Sequence, residues 1–414
     1  MKKWLALFLV PLVVLSLSGL AAAEQVFKVG VITSLSGDLA MGGNLTKRGY
    51  DMWAEAVNAQ GGILVNGKRY KVKMFYADAQ SQPSSAASAA TRLAVQNKVD
   101  FVLGPYASGI TKAAAPIMDK YKIPMITGSA ESPALWTQKP PFQFTFGAIP
   151  PASYTGPAGI YALAALPNGP KTAFVYGTND AFSKPTAQVM KAACKKAGIK
   201  VLKYADDLPE KADLTFIATL ARSMRPDLIC LAGHEEDLIN MVKVLVQANY
   251  TPKALVMHYG VTNPGFAKAL GKNAEGVIGS SVWTERMNLK ADVLWKTPKE
   301  YADAAMKKYK IPADYTQAAC SATGIFFQKA LEKLGAAPPL NEAQRTKLRD
   351  IIQDIEVMTF YGKIKFAKSG QFRHANVGLA PLAVQITKGE PLVVGPKDQA
   401  ETKLVYPMVP WKKR

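Results

Sequence analysis

The sequence predicts an α/β protein composed of two doubly wound units. Short apolar strands alternate with amphipathic helices, and this alternation restarts after Pro150–Pro151. The chain has 414 residues, which is more than one compact core usually holds. Repeated strand–helix units favour parallel sheets with helices on both faces. Because ligands bind such sheets beyond the carboxyl ends of the strands, we expect a cleft where the two sheets face each other.

The first unit contains short apolar runs separated by helical periodicity, as expected for buried strands connected by surface helices. Before residue 150 we predict strands at Phe27–Thr33, Lys71–Tyr76, Phe101–Leu103 and Pro124–Thr127, and helices at Asn44–Ala59, Pro83–Asn97 and Ile110–Tyr121. A further short helix begins at Ser132-Pro133, because Ser caps a helix start well and Pro suits its first position.

The second unit repeats this pattern and is followed by a helical supplement. Its predicted elements are helices at Ala152–Leu166, Pro185–Ala197, Leu214–Ser223, Glu235–Ala248 and Pro264–Leu270, and strands at Thr172–Tyr176, Lys200–Tyr204, Leu228–Leu231, Ala254–His258 and Gly276–Val282. Longer helices then follow at Pro298–Tyr309, Tyr315–Leu334 and Asn341–Ile355, with strands at Phe360–Phe366 and Leu382–Ile386 and turns at Gly370 and Gly389.

The N-terminus has the pattern of a secretory signal peptide at residues 1–23. Lys2 and Lys3 precede an apolar run at Trp4–Leu17, and Ala21–Ala23 offers a small-residue cleavage site. A retained membrane helix is the alternative, but the run is short and wrongly flanked for one. We therefore expect export to the periplasm.

The net charge of +20 invites a nucleic-acid interpretation, but the 51 basic residues are spread along the chain without a basic arm. We expect a solvated surface that also attracts anionic solutes, and no nucleic-acid partner. The three cysteines, Cys194, Cys230 and Cys320, are interpreted as buried free thiols, although an oxidising compartment would permit one disulfide.

Four segments together resemble a known family. Val29–Gly37 resembles the first strand and loop of the leucine/isoleucine/valine-type periplasmic solute-binding proteins of ABC importers. Val57–Ile63 resembles the helix end and Gly turn that follow. Val102–Gly109 resembles the strand and ligand loop of that family, and Lys122–Ile126 leads to a second ligand loop. The resemblance extends over nearly the whole chain after the leader.

This resemblance implies a type I periplasmic binding protein, a Venus-flytrap of two Rossmann-like lobes joined by a multi-strand hinge. It implies an N-terminal lobe of residues 26–147 plus 278–374, and a second lobe of residues 148–277 plus 375–414. The implied function is capture of a small amino acid or an apolar or aromatic carboxylate, followed by transient docking on ABC permease subunits. No catalysis and no cofactor are expected, and the protein is expected to be a monomer.

The first ligand loop, with Tyr106, Ala107 and Ser108, leads into the predicted helix Ile110–Tyr121. A helix start presents free N–H groups and partial positive charge, which suit a carboxylate. The family position implies that Ser108 supplies a hydroxyl and that the backbone of the loop lines the site. Alternatively, Ser108 caps its own helix.

The second ligand loop contributes Ser129, Ala130 and Glu131. In the family this loop offers backbone groups and a hydroxyl to the ligand's zwitterion, and Glu131 stands where a Thr is usual. A carboxylate in a closing cleft needs a partner or a raised pKa. Two interpretations stay open: Glu131 binds a ligand donor or cation, or it points to solvent.

Phe182, Tyr259 and His234 are assigned to the opposite lobe. Phe182 matches the aromatic residue that covers the ligand in the family, with ordinary packing as the alternative. Tyr259 stands where amino-acid binders have an acidic residue for the ammonium group, so either Glu131 replaces that charge or the ligand has no ammonium. His234 follows the strand Leu228–Leu231 and is expected to reach the cleft.

A metal site at His234–Asp237 is disfavoured, because adjacent positions on a helix do not face one another. Two other functions remain in view at this stage. A sensory receptor would use the same two-lobed trap, and a secreted hydrolase would convert the solute. No nucleophile elbow is present and the chain has three His residues, which leaves little for base catalysis.

Overall fold

The computed structural model describes residues 25–414, so the expected signal peptide at residues 1–23 lies outside the described residues. No helix within residues 25–414 combines the length and apolar character needed to cross a bilayer.

The strands of this part of the chain are β1 Phe27–Thr33, β2 Ile63–Val65, β3 Lys68–Tyr70, β4 Val72–Asp78, β5 Phe101–Leu103, β6 Met125–Thr127, β7 Thr145–Gly147, β8 Thr172–Thr178, β9 Lys200–Leu208, β10 Leu228–Ala232, β11 Ala254–Met257, β12 Ile278–Ser281, β13 Glu356–Thr359, β14 Gly362–Lys365, β15 Leu382–Thr387 and β16 Glu390–Gly395.

The α-helices are α1 Ala40–Ala59, α2 Pro83–Arg92, α3 Ser108–Tyr121, α4 Ala152–Thr155, α5 Ala158–Ala164, α6 Ser183–Lys196, α7 Thr215–Met224, α8 Glu235–Gln247, α9 Pro264–Leu270, α10 Pro298–Tyr309, α11 Tyr315–Leu334 and α12 Glu342–Asp354. A π-helical turn follows α2 at Leu93–Asn97, and 3₁₀-helices lie at Pro133–Leu135, Gly271–Ala274 and Trp411–Lys413.

Two sheets confirm the predicted α/β class. The first has the order β4-β1-β5-β6-β7 with all neighbours parallel. The second contains β9-β8-β10-β11-β12 in parallel. Counted along the parallel strands of each unit, both sheets have the order second, first, third, fourth, fifth. In this doubly wound order the direction of winding reverses beside the first strand of each sheet, and ligands bind outside the carboxyl ends at that point.

The C-terminal segment extends the second sheet rather than the first. β15 pairs antiparallel with β12, and β16 pairs antiparallel with β15. β12 at Ile278–Ser281 therefore belongs to the second sheet, although the expected division assigned residues from 278 onward to the first lobe. We propose that the chain returns to the first lobe after β12, and the other expected boundaries stay predictions.

The helix α11 forms the centre of the first core. Nearly all of its side chains are buried, and Phe327 stacks on Phe101 of β5 with ring centroids 4.2 Å apart. A helix that is apolar on all sides must be enclosed by other elements. The chain after the second unit therefore covers the first sheet, and it fixes the start of α11 beside the cleft.

Several element boundaries differ from the predictions. Ala152–Leu166 is divided into α4 and α5 at Gly156–Pro157, where Pro157 has no N–H for a helical hydrogen bond. The strand predicted at Phe360–Phe366 is confirmed at Gly362–Lys365, whereas Phe360 and Tyr361 form the turn between β13 and β14. The prediction also missed β7 and β16, and the hairpin of β2 and β3.

The short helix predicted at Ser132-Pro133 is present as a 3₁₀-helix, and the Ser132 hydroxyl accepts a hydrogen bond from the Ala134 amide. Cys194, Cys230 and Cys320 are free and buried, as the sequence indicated.

Candidate ligand-binding cleft

A cleft opens where the loops after β5 and β6 face the loops after β8, β10 and β11. The loops enclose about 280 Å³ of empty space, part of which is open to solvent, so the cleft is narrow in this form. The lining residues are Tyr106, Ala107, Ser108, Ser129, Glu131, Phe182, His234, Tyr259, Tyr315 and Thr316. Eight of the nine residues selected from the sequence are in this set, and Ala130 is not. Their role in binding stays a prediction.

One wall of the cleft is the N-terminus of α3. Ala107 is the N-cap in an extended conformation, and no side chain caps the helix there. The first amides of α3 therefore lack intrahelical partners and face the cleft beside Ser108. Ser108 does not cap its own helix, because its Oγ accepts a hydrogen bond from the Ser132 amide at 3.1 Å. The alternative of a simple helix cap is therefore wrong, and Ser108 is part of the cleft lining.

The second loop contributes Ser129 and Glu131 but not the side chain of Ala130. The Ala130 amide donates to the Thr127 hydroxyl at 3.1 Å, and its methyl group packs in the core beside Ile110. The prediction that Ala130 contacts the ligand is therefore corrected, because this residue lies behind the loop and is not part of the cleft lining. Ser129 stays at the surface, where its hydroxyl accepts a hydrogen bond from Thr46 at 3.3 Å.

Glu131 points inward, so the solvent-facing alternative is wrong. Its side chain is 6 % exposed, and the Tyr315 hydroxyl donates to Oε1 at 2.7 Å. Oε2 lies 3.2 Å from both the Thr155 hydroxyl and His258 Nε2. Burial and the charge of Glu131 raise the pKa of Tyr315 well above its usual value, so this phenol remains a hydrogen-bond donor.

A second buried carboxylate, Glu235, lies behind two tyrosines of the lining. The Tyr106 hydroxyl is 3.0 Å from each carboxylate oxygen, and the Tyr259 hydroxyl donates to Oε2 at 3.1 Å. The two phenol oxygens are themselves 2.9 Å apart. Burial and the charge of Glu235 raise the pKa of both tyrosines, so both remain protonated. Tyr106 follows β5 and Glu235 begins α8, so this cluster bridges the two sheets.

His234 occupies the position before α8 and contacts partners on either side. Its Nδ1 is 3.0 Å from the Tyr259 hydroxyl, and its Nε2 is 3.5 Å from Asp180 Oδ1. Burial alone would lower the pKa of His234, but the hydrogen bond and charge of Asp180 outweigh it and raise that pKa. Burial likewise would raise the pKa of Asp180, yet His234 and the neighbouring amides hold it below its usual value.

Phe182 covers one end of the cleft. Its ring stacks on His258 at a centroid distance of 5.4 Å and meets Tyr259 edge-on at 5.3 Å. The aromatic surface of this wall is therefore continuous, and it suits an apolar or aromatic portion of a ligand.

Residues His234–Asp237 point to different partners, which disfavours a shared metal. Glu235 faces the tyrosines, whereas Asp237 accepts a hydrogen bond from the His234 amide at 3.0 Å. Within residues 25–414, no group of three or more His, Cys, Asp or Glu side chains has an arrangement suited to a metal ion.

Sequence reasoning missed the contribution of α11. Tyr315 and Thr316, in its first turn, line the cleft. Asp314 caps this helix by accepting a hydrogen bond from the Gln317 amide at 2.9 Å, and burial raises its pKa to about 7. The Asp314 cap is visible in the sequence as a helix start. Nothing local indicates that this start lies beside loops that come about two hundred residues earlier in the chain.

Comparisons with known proteins agree with this geometry. The profile of a family described as periplasmic binding protein matches residues 26–386. The Leu/Ile/Val-binding protein BraC3 of Rhizobium johnstonii is 26 % identical over 371 residues, covering 88 % of this chain and 94 % of that protein. The Leu/Ile/Val-binding protein of Escherichia coli K12 is 23 % identical, over 64 % of this chain and 70 % of its own length.

Two solved structures have the same fold. A leucine-binding protein, LivK of Thermotoga maritima, superposes with a TM-score of 0.76 at 20 % identity, covering 90 % of this chain and all of its own. A solute-binding protein of an ABC transporter from R. palustris, solved in complex with benzoate, superposes with a TM-score of 0.75 at 19 % identity, covering 93 % of this chain and 97 % of its own.

Proposed function

This chain belongs to the periplasmic binding protein family, and we propose that it is the solute-binding subunit of an ABC importer. It captures a small amino acid or an apolar or aromatic carboxylate and delivers it to the permease. The observation that carries this proposal is the cleft between the two sheets, with the uncapped start of α3 directed into it.

The start of α3 supports binding of a carboxylate. The free amides of its first turn and the partial positive charge of a helix N-terminus favour a negative group. No Lys or Arg lines the cleft, so backbone amides and hydroxyls would hold the anion. Ser108 and Ser129 supply hydroxyls at this end, as their family positions implied.

The opposite end of the cleft supports two classes of solute. The buried carboxylate of Glu131 suits an ammonium group, which favours an amino acid. The rings of Phe182 and Tyr259, which line the cleft and meet edge-on, suit an apolar or aromatic portion. The relatives named above bind Leu, Ile and Val, and one structural neighbour holds benzoate, so both classes occur among similar proteins.

Closure of the two lobes follows from contacts that only the closed form can make. The Ser132 hydroxyl donates to the Ala181 carbonyl at 2.6 Å, and Glu131 reaches His258 on the other side. A solute that contacts both walls stabilises this form relative to an open one. The closed form, acting as a monomer in the periplasm, then docks on the permease subunits.

A thermal-shift screen of amino acids and of benzoate-type acids tests the proposal. A ligand that binds the folded state raises the melting temperature by mass action, by an amount set by its concentration relative to Kd. We expect one of the two classes to raise it, and the methyl ester of each active compound to lose the effect, because the ester has no anion for α3. The solute should be recovered unchanged, since no catalytic step is proposed. Active esters, or no active compound in either class, would contradict the proposal.

A further inference from the structure

We propose that the Tyr106 side chain sets the upper size limit of the solute. The sequence indicated only that the backbone of this loop lines the site. The inference rests on the proposed function, because it concerns the same cleft. The start of α3 would bind the carboxylate and the aromatic wall would contact the apolar portion, whereas Tyr106 would limit the size of that portion.

The ring of Tyr106 is fixed against the backbone of α1. Gly42 lies beneath it, and a Cβ atom at that position would stand 2.0 Å from Tyr106 Cζ. Real Cβ contacts do not come this close, so only glycine lets the ring lie there. The ring is 3 % exposed, and it forms part of the cleft lining.

The hydroxyl of Tyr106 is fixed from the opposite lobe. It lies 3.0 Å from both oxygens of Glu235 and 2.9 Å from the Tyr259 hydroxyl. Glu235 is 3 % exposed and begins α8, where the helix N-terminus favours its negative charge. If the ring turned away, this buried carboxylate would lose one of its few donors, which is costly.

The ring therefore cannot change its rotamer to make room for a larger ligand, as the ring of a surface tyrosine could. Its phenol end is held on one side by Gly42 of α1 and on the other by Glu235 and Tyr259. Because the ring is part of the cleft lining, its volume reduces the space that a solute can occupy in the closed form. A solute that needs the space of the ring would have to keep the lobes apart.

The experiment compares Tyr106→Ala and Tyr106→Phe with the wild-type chain by calorimetric titration. The probes form two series of increasing size: glycine, alanine, valine, leucine and phenylalanine, and acetate, benzoate and 4-phenylbenzoate. Tyr161→Phe makes the same chemical change on α5, where Tyr161 is 40 % exposed and away from the cleft, and it serves as the matched control.

We expect the wild-type affinity to fall at one size step. Tyr106→Ala should move that step to a larger probe by raising the affinity for that probe tenfold or more relative to Tyr106→Phe, which lacks the same hydroxyl, on the order of what one or two methylenes gain in an apolar pocket. Tyr106→Phe keeps the ring and should leave the step in place, while it weakens all bound probes by about tenfold through the lost hydrogen bond. Tyr161→Phe should behave as wild type.

If the wild type binds the small probes and Tyr106→Ala leaves the size step unchanged, the inference about Tyr106 is overturned and the proposed function is not. A step that Tyr106→Phe moves as far as Tyr106→Ala also overturns it, because the hydroxyl would then set the limit. If Tyr106→Ala fails to fold, Tyr106→Leu gives the same comparison with more of the volume retained. A wild-type chain that binds no probe overturns the proposed function and this inference together.

Discussion

The carboxylates of Glu131 and Glu235 are satisfied mainly by neutral hydroxyl groups. Glu131 accepts from Tyr315 and Thr155 and contacts His258, whereas Glu235 accepts from Tyr106 and Tyr259. Hydroxyl donors stabilise a buried charge without cancelling it. Glu131 also lines the cleft, so its carboxyl group lies within reach of a cationic group of a ligand.

The change Glu131→Gln should separate the two classes of solute. The amide keeps the size and much of the hydrogen bonding but removes the charge, so amino acids should bind about 10- to 100-fold more weakly. Benzoate-type acids, which have no ammonium, should change by only a few-fold. Calorimetric titration measures both, and Glu342→Gln on the exposed face of α12 is the matched control. An equal loss for both classes would mean that Glu131 acts through the shape of the cleft and not through its charge.

The pair of His234 and Asp180 gives the cleft a dependence on pH. The raised pKa of His234 contributes stability that is complete below about pH 6.5 and is lost as the pH rises through the folded-state value. The lowered pKa of Asp180 contributes stability that is complete above about pH 4 and is lost as the pH falls. Both contributions are therefore present together between about pH 4 and 6.5.

In Asp180→Asn the difference in the free energy of unfolding from wild type should be largest within this window and should shrink at higher pH. The asparagine keeps an acceptor for the Phe182 and Ser183 amides, so the charge is the main loss. Urea unfolding at pH 5.5 and pH 8.5, with the His234 ring titrated by NMR, measures both effects. A His234 pKa that does not fall in the variant would refute the pairing.

At the scale of elements, α1 and α11 pack unusually closely. Gly324 of α11 faces the ring of Trp53 of α1, and a Cβ at Gly324 would stand 2.2 Å from Trp53 Cδ2. Trp53 is fully buried. The indole therefore takes the space that a side chain at position 324 would fill.

Gly324→Ala should destabilise the protein by about 1–3 kcal/mol, as overpacking of a core does. This is opposite in sign to the ~1 kcal/mol that alanine gains over glycine in a helix interior. Urea unfolding measures the change, and Ser88→Ala on the exposed face of α2 is a control expected within about 0.5 kcal/mol of wild type. In combination with Trp53→Leu the cost of Gly324→Ala should shrink, which a double-mutant cycle detects. A stabilised Gly324→Ala would contradict the close packing.

At the scale of the whole molecule, two similar sheets meet across one cleft. The order of the parallel strands is the same in both, so the loops at each switch point face each other. Tyr106 and Glu131 come from the first sheet's loops, and Glu235 and His258 come from the second's. Hydrogen bonds between these pairs close the cleft, and rigid-body separation of the sheets would break all of them at once.

Small-angle scattering should therefore detect closure. A closed chain of this length has an expected radius of gyration of about 21 Å. We expect the protein without solute to give a larger value and to approach that figure when a compound active in the thermal-shift screen is added. Titrating the compound in steps gives the fraction closed at each concentration. The same radius with and without an active compound would contradict closure by the solute.

The residues that sequence reasoning placed correctly are those whose position follows from one strand or helix. Ser108 and His234 each lie within five residues of the end of a buried strand, and parallel strands bring their carboxyl ends to one edge of a sheet. Glu235 begins a predicted helix, but the sequence does not place it at the cleft, because the direction of its side chain depends on Tyr106 in the other lobe. The same holds for Tyr315, whose helix begins far along the chain.

The sequence by itself determined the α/β class, the alternation of strands and helices, and most strand ends that face the cleft, because these follow from apolar periodicity and local caps. Only the tertiary structure decided that α11 completes the cleft and that Tyr106 bridges to Glu235. Those arrangements join segments more than one hundred residues apart, and their free energy comes from packing and hydrogen bonds between surfaces that no local pattern encodes.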